Sequence, residues 1–335
     1  MGKRIFWIDN AKFILIVAVI LGHCLEKLGS TEACDDMNTF LAVFRMPLFM
    51  FISGYFSHKM EASRFRSMLL GLIETFLIFQ FLHILIEIFG MGHPFSLEML
   101  IVPRWTLWYL LCMVFWRTAI QLLAGKVSPS ALFWGSIVIG CFCGFVPLST
   151  EFSFQRTFTM APYFMLGYLV RCSEYDLNLI RRIPIVIAVL VVAVVPFLFH
   201  LSDFPFLEFM WGHKPYSVFS DYSPALLVGL RAVSYVFRII VSVCVFRLIP
   251  YGESWLSEQG KDTLFYYLYH PFIIYVLYFV DGKVGIPTTL LPVILYAGFA
   301  VLVIWAAIKV PFFRSIPRLV SNTYASITSR GVKTA

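Results

Sequence analysis

The chain has 335 residues, 60% of them hydrophobic and only 13% charged, with a formal net charge of +7. Its mean hydropathy of +0.83 excludes a soluble globular domain and predicts an all-α, polytopic integral membrane protein. The positive charge is no nucleic-acid signal. With the N-terminus inside, the inner segments 1–4, 58–66, 117–130, 171–182, 247–261 and 312–335 hold roughly 16 Lys and Arg against about 5 in the outer ones, so both termini are expected in the cytoplasm. Ten apolar segments are predicted to span, at 5–27, 38–57, 67–89, 105–123, 131–148, 157–170, 183–201, 225–248, 262–280 and 287–311.

The first segment carries Asp9, Lys12 and His23 within a membrane-length apolar run. It is too long and too charged for a removable signal peptide and lacks a small-residue cleavage site, so it reads as a retained helix. Titratable groups are expensive in hydrocarbon and mark function by default. Eleven residues at about 100° each return His23 to within roughly 20° of Lys12, about 16 Å further along the axis. The two share one face at two depths, and that face must look into a bundle or a wet cavity. Asp9, three residues before Lys12, is one candidate to neutralise it. Glu26, three residues after His23, is placed to orient the imidazole.

The second segment, entered through an acidic outer turn at 28–37, carries Arg45 at about the depth of His23. Arg45 either meets His23 or snorkels outward as an interfacial anchor. Pro47 is expected to kink or open this helix, and Ser53 and Gly54 allow close helix approach. In the third segment, Glu74 lies about as deep as Lys12 and could pair with it, while His83 and Glu87, four apart, face the same way. No spacing such as His-Glu-x-x-His suggests a metal.

Trp105, Trp108 and Tyr109 open the fourth segment. They read either as an interfacial aromatic belt or as a plane for stacking a sugar ring, with Trp105 and Trp108 three apart on one helical face. Gly140 and Gly144 have the small-xxx-small spacing of close packing. Arg156 begins the sixth segment. The outer stretch 202–224, rich in proline and aromatics, is expected to form a folded lid or rim. Arg231 and Arg238, seven apart, lie nearly on one face; Arg238 could receive an anionic group or pair with Glu87 or Glu74. His270 falls near mid-membrane beside Pro271. The seven cysteines read mostly as packing residues, with Cys24 and Cys34 able to reach the outer side and pair.

Several of these runs together resemble the membrane acyltransferase-3 family, in particular its fucose 4-O-acetylase-like branch. They are Trp7-Ile8-Asp9-Asn10-Ala11-Lys12-Phe13 with Leu21-Gly22-His23; Phe44-Arg45-Met46-Pro47-Leu48-Phe49 with Ile52-Ser53-Gly54-Tyr55-Phe56; Leu107-Trp108-Tyr109-Leu110; Pro162-Tyr163-Phe164-Met165-Leu166-Gly167-Tyr168; and Gly260-Lys261-Asp262-Thr263-Leu264 with Tyr267-Leu268-Tyr269-His270. The likeness covers almost the whole chain, 1–335, as one domain. It implies a ten-helix enzyme of the bacterial cytoplasmic membrane that moves an acyl group, usually acetyl, from acyl-CoA to a hydroxyl of a surface glycan or its lipid-linked precursor. His23 matches the family's catalytic histidine and Lys12 its basic partner. The family usually has His at the position of Arg45, and a basic pair before proline where this chain reads Leu70-Gly71-Leu72-Ile73-Glu74-Thr75. Arg64 and Arg66, just upstream, are the expected replacement.

The residues fit that chemistry. A neutral imidazole near pH 7 serves as base or as acyl carrier. His23, Glu26 and Arg45 are therefore the expected catalytic group, with Arg45 polarising the thioester carbonyl or stabilising an oxyanion. Lys12, Arg64, Arg66 and Arg238 are the expected donor-binding residues; Trp105, Trp108, Tyr109, Arg156 and His270 face the acceptor. His270 reads equally as a packed, hydrogen-bonded histidine. Acyl-CoA enters as co-substrate, and no bound cofactor or metal is expected. The competing class is a proton-coupled transporter or exporter, against which stands the lack of an inverted repeat.

Overall fold

The computed structural model describes residues 5–147, 151–201, 204–284 and 289–313. Lys3, Arg4 and the basic tail from 314 onward lie outside them. The described chain is helical throughout: α1 (Phe6–Leu28), α2 (Glu32–Tyr55), α3 (Ala62–Leu85), α4 (Glu98–Ile101), α5 (Trp108–Leu123), α6 (Pro129–Phe142), α7 (Phe154–Cys172), α8 (Ile185–His200), α9 (Phe206–Trp211), α10 (Pro224–Leu248), α11 (Trp255–Gln259), α12 (Thr263–Val284) and α13 (Leu290–Ile308). Setting aside α4, α9 and α11, which are short turns in connections, the long helices match the expected spans one for one. Six stretches, containing α1, α2, α3, α10, α12 and α13, are long and apolar enough to cross a membrane by length and composition; α5, α6 and α8 are shorter apolar helices. The chain is therefore an all-α, multi-pass membrane protein.

Local chemistry sets the boundaries. Ser128 and Ser223 cap α6 and α10, each followed by proline at the first helical position, and accept from the amides of Ala131 and Leu226. Other starts differ from the periodicity. α2 begins at Glu32 and absorbs the acidic turn, and α3 runs into a π-turn at Ile86–Gly90. α5 starts only at Trp108, because Trp105 adopts a left-handed backbone (φ 46°) that no helix continues through.

α1 lies at the centre, packed against α2, α11, α12 and α13. Its N-terminal end is pinned by polar side chains. Asn10 donates to the carbonyls of Pro250 (2.7 Å) and Gly252 (2.9 Å) and accepts from the Ser254 hydroxyl (2.7 Å), while the Trp7 indole donates to Phe246 O (3.1 Å). α2 and α7 approach most closely where Gly54 and Gly167 face each other's helix. A Cβ on Gly54 would overlap the Phe164 carbonyl, and one on Gly167 the Phe51 carbonyl. The closeness expected at Gly54 is thus mutual.

Cys24 and Cys34 are both buried and are not joined by a disulfide, so the pairing open to them on the outer side does not form and the packing reading holds. Of the described cysteines only Cys172 is exposed. Because no atom of α2 can retreat without moving its backbone, Gly167→Leu should destabilise the bundle by about 3 kcal/mol or more. The check is the apparent melting temperature of the detergent-solubilised protein by tryptophan fluorescence; an unchanged value would mean that the α2–α7 contact is dispensable.

Candidate active site

A cavity of about 260 Å³ opens between α1, α2, α5, α7, α10 and α12. Lys12, Ser53 and Thr263 line it toward the basic end of the bundle, and Glu26, Trp105, Arg156 and Trp211 toward the opposite end, with His23, Arg45 and Trp108 between. The Lys12 to His23 face of α1 is therefore its wall, as the eleven-residue spacing predicts.

His23 Nδ1 lies 3.2 Å from Glu26 Oε2, one helical turn on. A carboxylate can only accept, so the neutral imidazole carries its proton on Nδ1 and leaves Nε2 as a free base toward the cavity. Trp105 and His270 flank the ring, with centroids 5.3 and 5.5 Å away. His270 donates from Nδ1 to the Tyr266 carbonyl (2.9 Å), so it packs against His23 as a hydrogen-bonded residue and is not among the cavity-lining residues.

Arg45 reaches the same place from α2. It is only 4% exposed, and its guanidinium occupies the space that a side chain at position 22 would fill, so Gly22 is the notch that admits a cation one residue from His23. Arg45 does not snorkel. Its Nη1 is buried without a hydrogen-bond partner.

The basic side chains of the cavity differ in what they touch. Lys12 pairs with Asp9 at 2.6 Å. The expected link to Glu74 is absent, and Glu74 is half-buried on α3. Arg238 lines the cavity but donates to the carbonyls of Val43 (3.2 Å), Ala42 (2.9 Å) and Met210 (3.2 Å), so it pairs with neither Glu87 nor Glu74. Glu87 binds Arg104 instead, at 3.1 Å. Arg64 and Arg66 are exposed at the start of α3, away from the cavity, with Arg64 3.9 Å from Glu61.

The aromatic wall is built from two elements. Trp108 opens α5, whereas Trp105 hangs from the preceding segment, so the two do not share a helical face. That segment is tied down by Gln80 of α3, which donates to Met99 O (2.8 Å) and Val102 O (2.7 Å) and accepts from Arg104 N (2.8 Å). Sequence reasoning missed Gln80; its only mark is an amide within an apolar helix. Tyr109 turns away from the mouth, its hydroxyl 2.5 Å from Ser53 Oγ. Arg156 lies over the Trp108 ring, 4.7 Å from its centroid.

The segment between α8 and α10 folds inward as a rim. α9 ends at Gly212 (φ 64°), whose carbonyl accepts from Thr159 (2.8 Å), and Arg231 donates to Phe209 O (2.8 Å). Trp211 thereby reaches the cavity. Among the described residues no cluster of His, Cys, Asp or Glu has the makings of a metal site.

The family model for an acyltransferase domain, acyltransferase-3, matches residues 5–309, and the chain belongs to that family. No curated protein and no solved structure matches it. The protein is thus a membrane acyltransferase, and the His23 cavity is its candidate active site.

His213 sits on the rim, outside the spanning helices. Burial, and next the neighbouring Arg156 guanidinium, push its imidazole down from 6.5 to about 4. Between those values a loosened rim takes up a proton that the closed rim refuses, so closure is fully favoured above 6.5 and weakens as pH falls toward 4. Proteolysis of the 204–224 segment should accelerate across that window in the wild type and lose most of its pH dependence in His213→Gln. A response that survives the substitution would belong to other groups.

Proposed function

We propose that the protein is an O-acyltransferase that moves an acetyl group from cytoplasmic acyl-CoA to a hydroxyl of a surface glycan or its lipid-linked precursor, in a bacterial cytoplasmic membrane. The observation that carries this reading is the His23–Glu26 pair, its Nε2 open to a cavity that extends to Lys12 and holds the Arg45 guanidinium beside Gly22. By charge bias the basic end is cytoplasmic, so the donor enters past Lys12 and the acceptor from the side of Trp105, Trp108 and Arg156. Lys12 keeps donors beyond the one given to Asp9. Arg64 and Arg66 contribute only a surface field that favours an anionic thioester at that end.

In the reaction, the acceptor hydroxyl oxygen attacks the thioester carbonyl carbon while His23 Nε2 takes the hydroxyl proton. Glu26 steadies the imidazolium that results. Negative charge gathers on the former carbonyl oxygen, where Arg45 is the available cation. Collapse breaks the C–S bond, the thiolate takes the proton back from His23, and an ester and a free thiol leave.

Removing the base should lower acyl transfer from labelled acetyl-CoA to membrane glycan by about 100-fold or more in His23→Ala, with normal membrane insertion; unaltered labelling would remove His23 from the mechanism. Gly22→Ala, which displaces the Arg45 guanidinium, should lower the rate by about 10-fold or more with little change in the KM for acetyl-CoA. A rise in that KM alone would make Arg45 a donor-binding residue.

A further inference from the structure

We infer that the acceptor is anionic, and that Arg156 binds a carboxylate or phosphate it carries beside the hydroxyl to be acylated. This rests on the acyl-transfer reading above and names the substrate class for the acceptor half of the same cavity.

The inference comes from following each charge to its partner. The cavity is lined by four permanent cations, Lys12, Arg45, Arg156 and Arg238, and by one carboxylate, Glu26. Lys12 has Asp9, and Arg238 has three backbone carbonyls. Glu26 is engaged by His23. Neither Arg45 nor Arg156 makes an ion pair or a carbonyl hydrogen bond among the described residues; the Glu26 carboxylate attracts both only from beyond contact, and each has a guanidinium nitrogen buried with no hydrogen-bond partner, Nη1 in Arg45 and Nε in Arg156. One carboxylate, already in contact with His23, is shared by two guanidinium groups in a low-dielectric bundle, and a ligand's anion would supply the contacting counter-charge that neither has.

The two arginines are not equivalent. Arg45 lies against Gly22, one residue from His23, where charge arises only during reaction. Arg156 stands in the first turn of α7, on the side of the cavity lined by Glu26 and Trp211 and away from Lys12. Its contact there is the face of Trp108. Lying over a ring occupies the face of a guanidinium and leaves its edge of N–H donors free, a fork that matches a carboxylate or phosphate two-pronged. The surroundings suit a sugar bearing such a group. Trp105, Trp108 and Trp211 supply apolar planes beside it, and the rim adds His213, whose Nδ1 is buried without a partner.

A neutral hexose would leave Arg156 without a contacting anion, whereas an acidic sugar or a sugar phosphate would supply one. One charge-assisted bidentate pair is worth about 1.5–3 kcal/mol, hence roughly 10- to 100-fold in affinity.

The test uses the full-length protein in nanodiscs and three probes: methyl β-glucuronide, methyl β-glucoside and glucose 6-phosphate. Quenching of tryptophan fluorescence reads binding without acyl-CoA, so it does not depend on turnover. Acyl transfer from labelled acetyl-CoA is followed in parallel. At least one acidic probe should bind about 10-fold or more tightly than the glucoside; which one does tells carboxylate from phosphate. In Arg156→Gln that preference should shrink to within about twofold, and Arg156→Lys should restore part of it. Equal binding of all three probes by the wild type would overturn the inference, as would an acid preference that Arg156→Gln leaves intact. Acid-selective binding with no labelled ester from any probe would uphold the anion site and count against acyl transfer instead.

Discussion

A proline inside a buried helix leaves one carbonyl without its amide, and the arrangement of this bundle follows from how that debt is met. Pro47 of α2 has no N–H for Val43 O, four residues back. Arg238 of α10 donates to that carbonyl, to its neighbour Ala42 O and to Met210 O of the rim. One guanidinium thus joins the proline-opened turn of α2, the helix that carries it and the segment that closes the cavity. Arg231, seven residues earlier, holds the same rim at Phe209 O, which also accepts from the Gly212 amide. A charge in the spanning region is tolerable when carbonyl dipoles surround it, and the three around Arg238 make it the principal fastener.

That fastening fixes the cavity wall on which the chemistry depends. With α2 held at Val43, Arg45 two residues on projects into the notch at Gly22, and α1 presents His23 and Glu26 beside it. The general base and the electrostatic stabiliser come from adjacent helices, each braced independently of any ligand. Such bracing matters because stabilisation of a transition state by fixed charges depends on their being in position before charge develops.

The first helix was the most legible part of the chain. Its apolar length gave the span, its 3.6-residue period put Lys12 and His23 on one wall, and its i, i+3 spacing anticipated the pairs Asp9–Lys12 and His23–Glu26. Relations of this kind are local, so sequence contains them. Partners between distant helices are not local. Depth suggested Glu74 for Lys12, and Glu87 or Glu74 stood open for Arg238, yet depth says nothing of azimuth, and Arg104, brought close by the Gln80 clamp, took Glu87. The shared face expected for Trp105 and Trp108 failed because it assumed helix at Trp105, whose left-handed backbone is imposed by contacts made from α3. Arg64 and Arg66 fell on the exposed start of α3 because being upstream of a membrane helix is also where ordinary interfacial charges lie.

The strained backbone at the mouth has its own logic. Trp105, Phe152 and Ser153 all have positive φ, between 46° and 55°, a conformation that costs a non-glycine residue about 1 kcal/mol or more. Trp105 directly flanks the reactive ring, and Phe152 and Ser153 immediately precede the helix that carries Arg156. A helical residue at 105 would send its side chain along α5. The left-handed turn instead brings the indole to 5.3 Å from His23 and 4.9 Å from Tyr275, with Lys27 5.8 Å from the indole centroid. On the acyl-transfer reading that position is where a screen is needed, since a thioester beside a general base is open to water as well as to alcohol. The strain at Trp105 is then offset by what the indole keeps out, and α3 is drawn into the site through Gln80 and through His83, which packs on the same Tyr275 that meets Trp105.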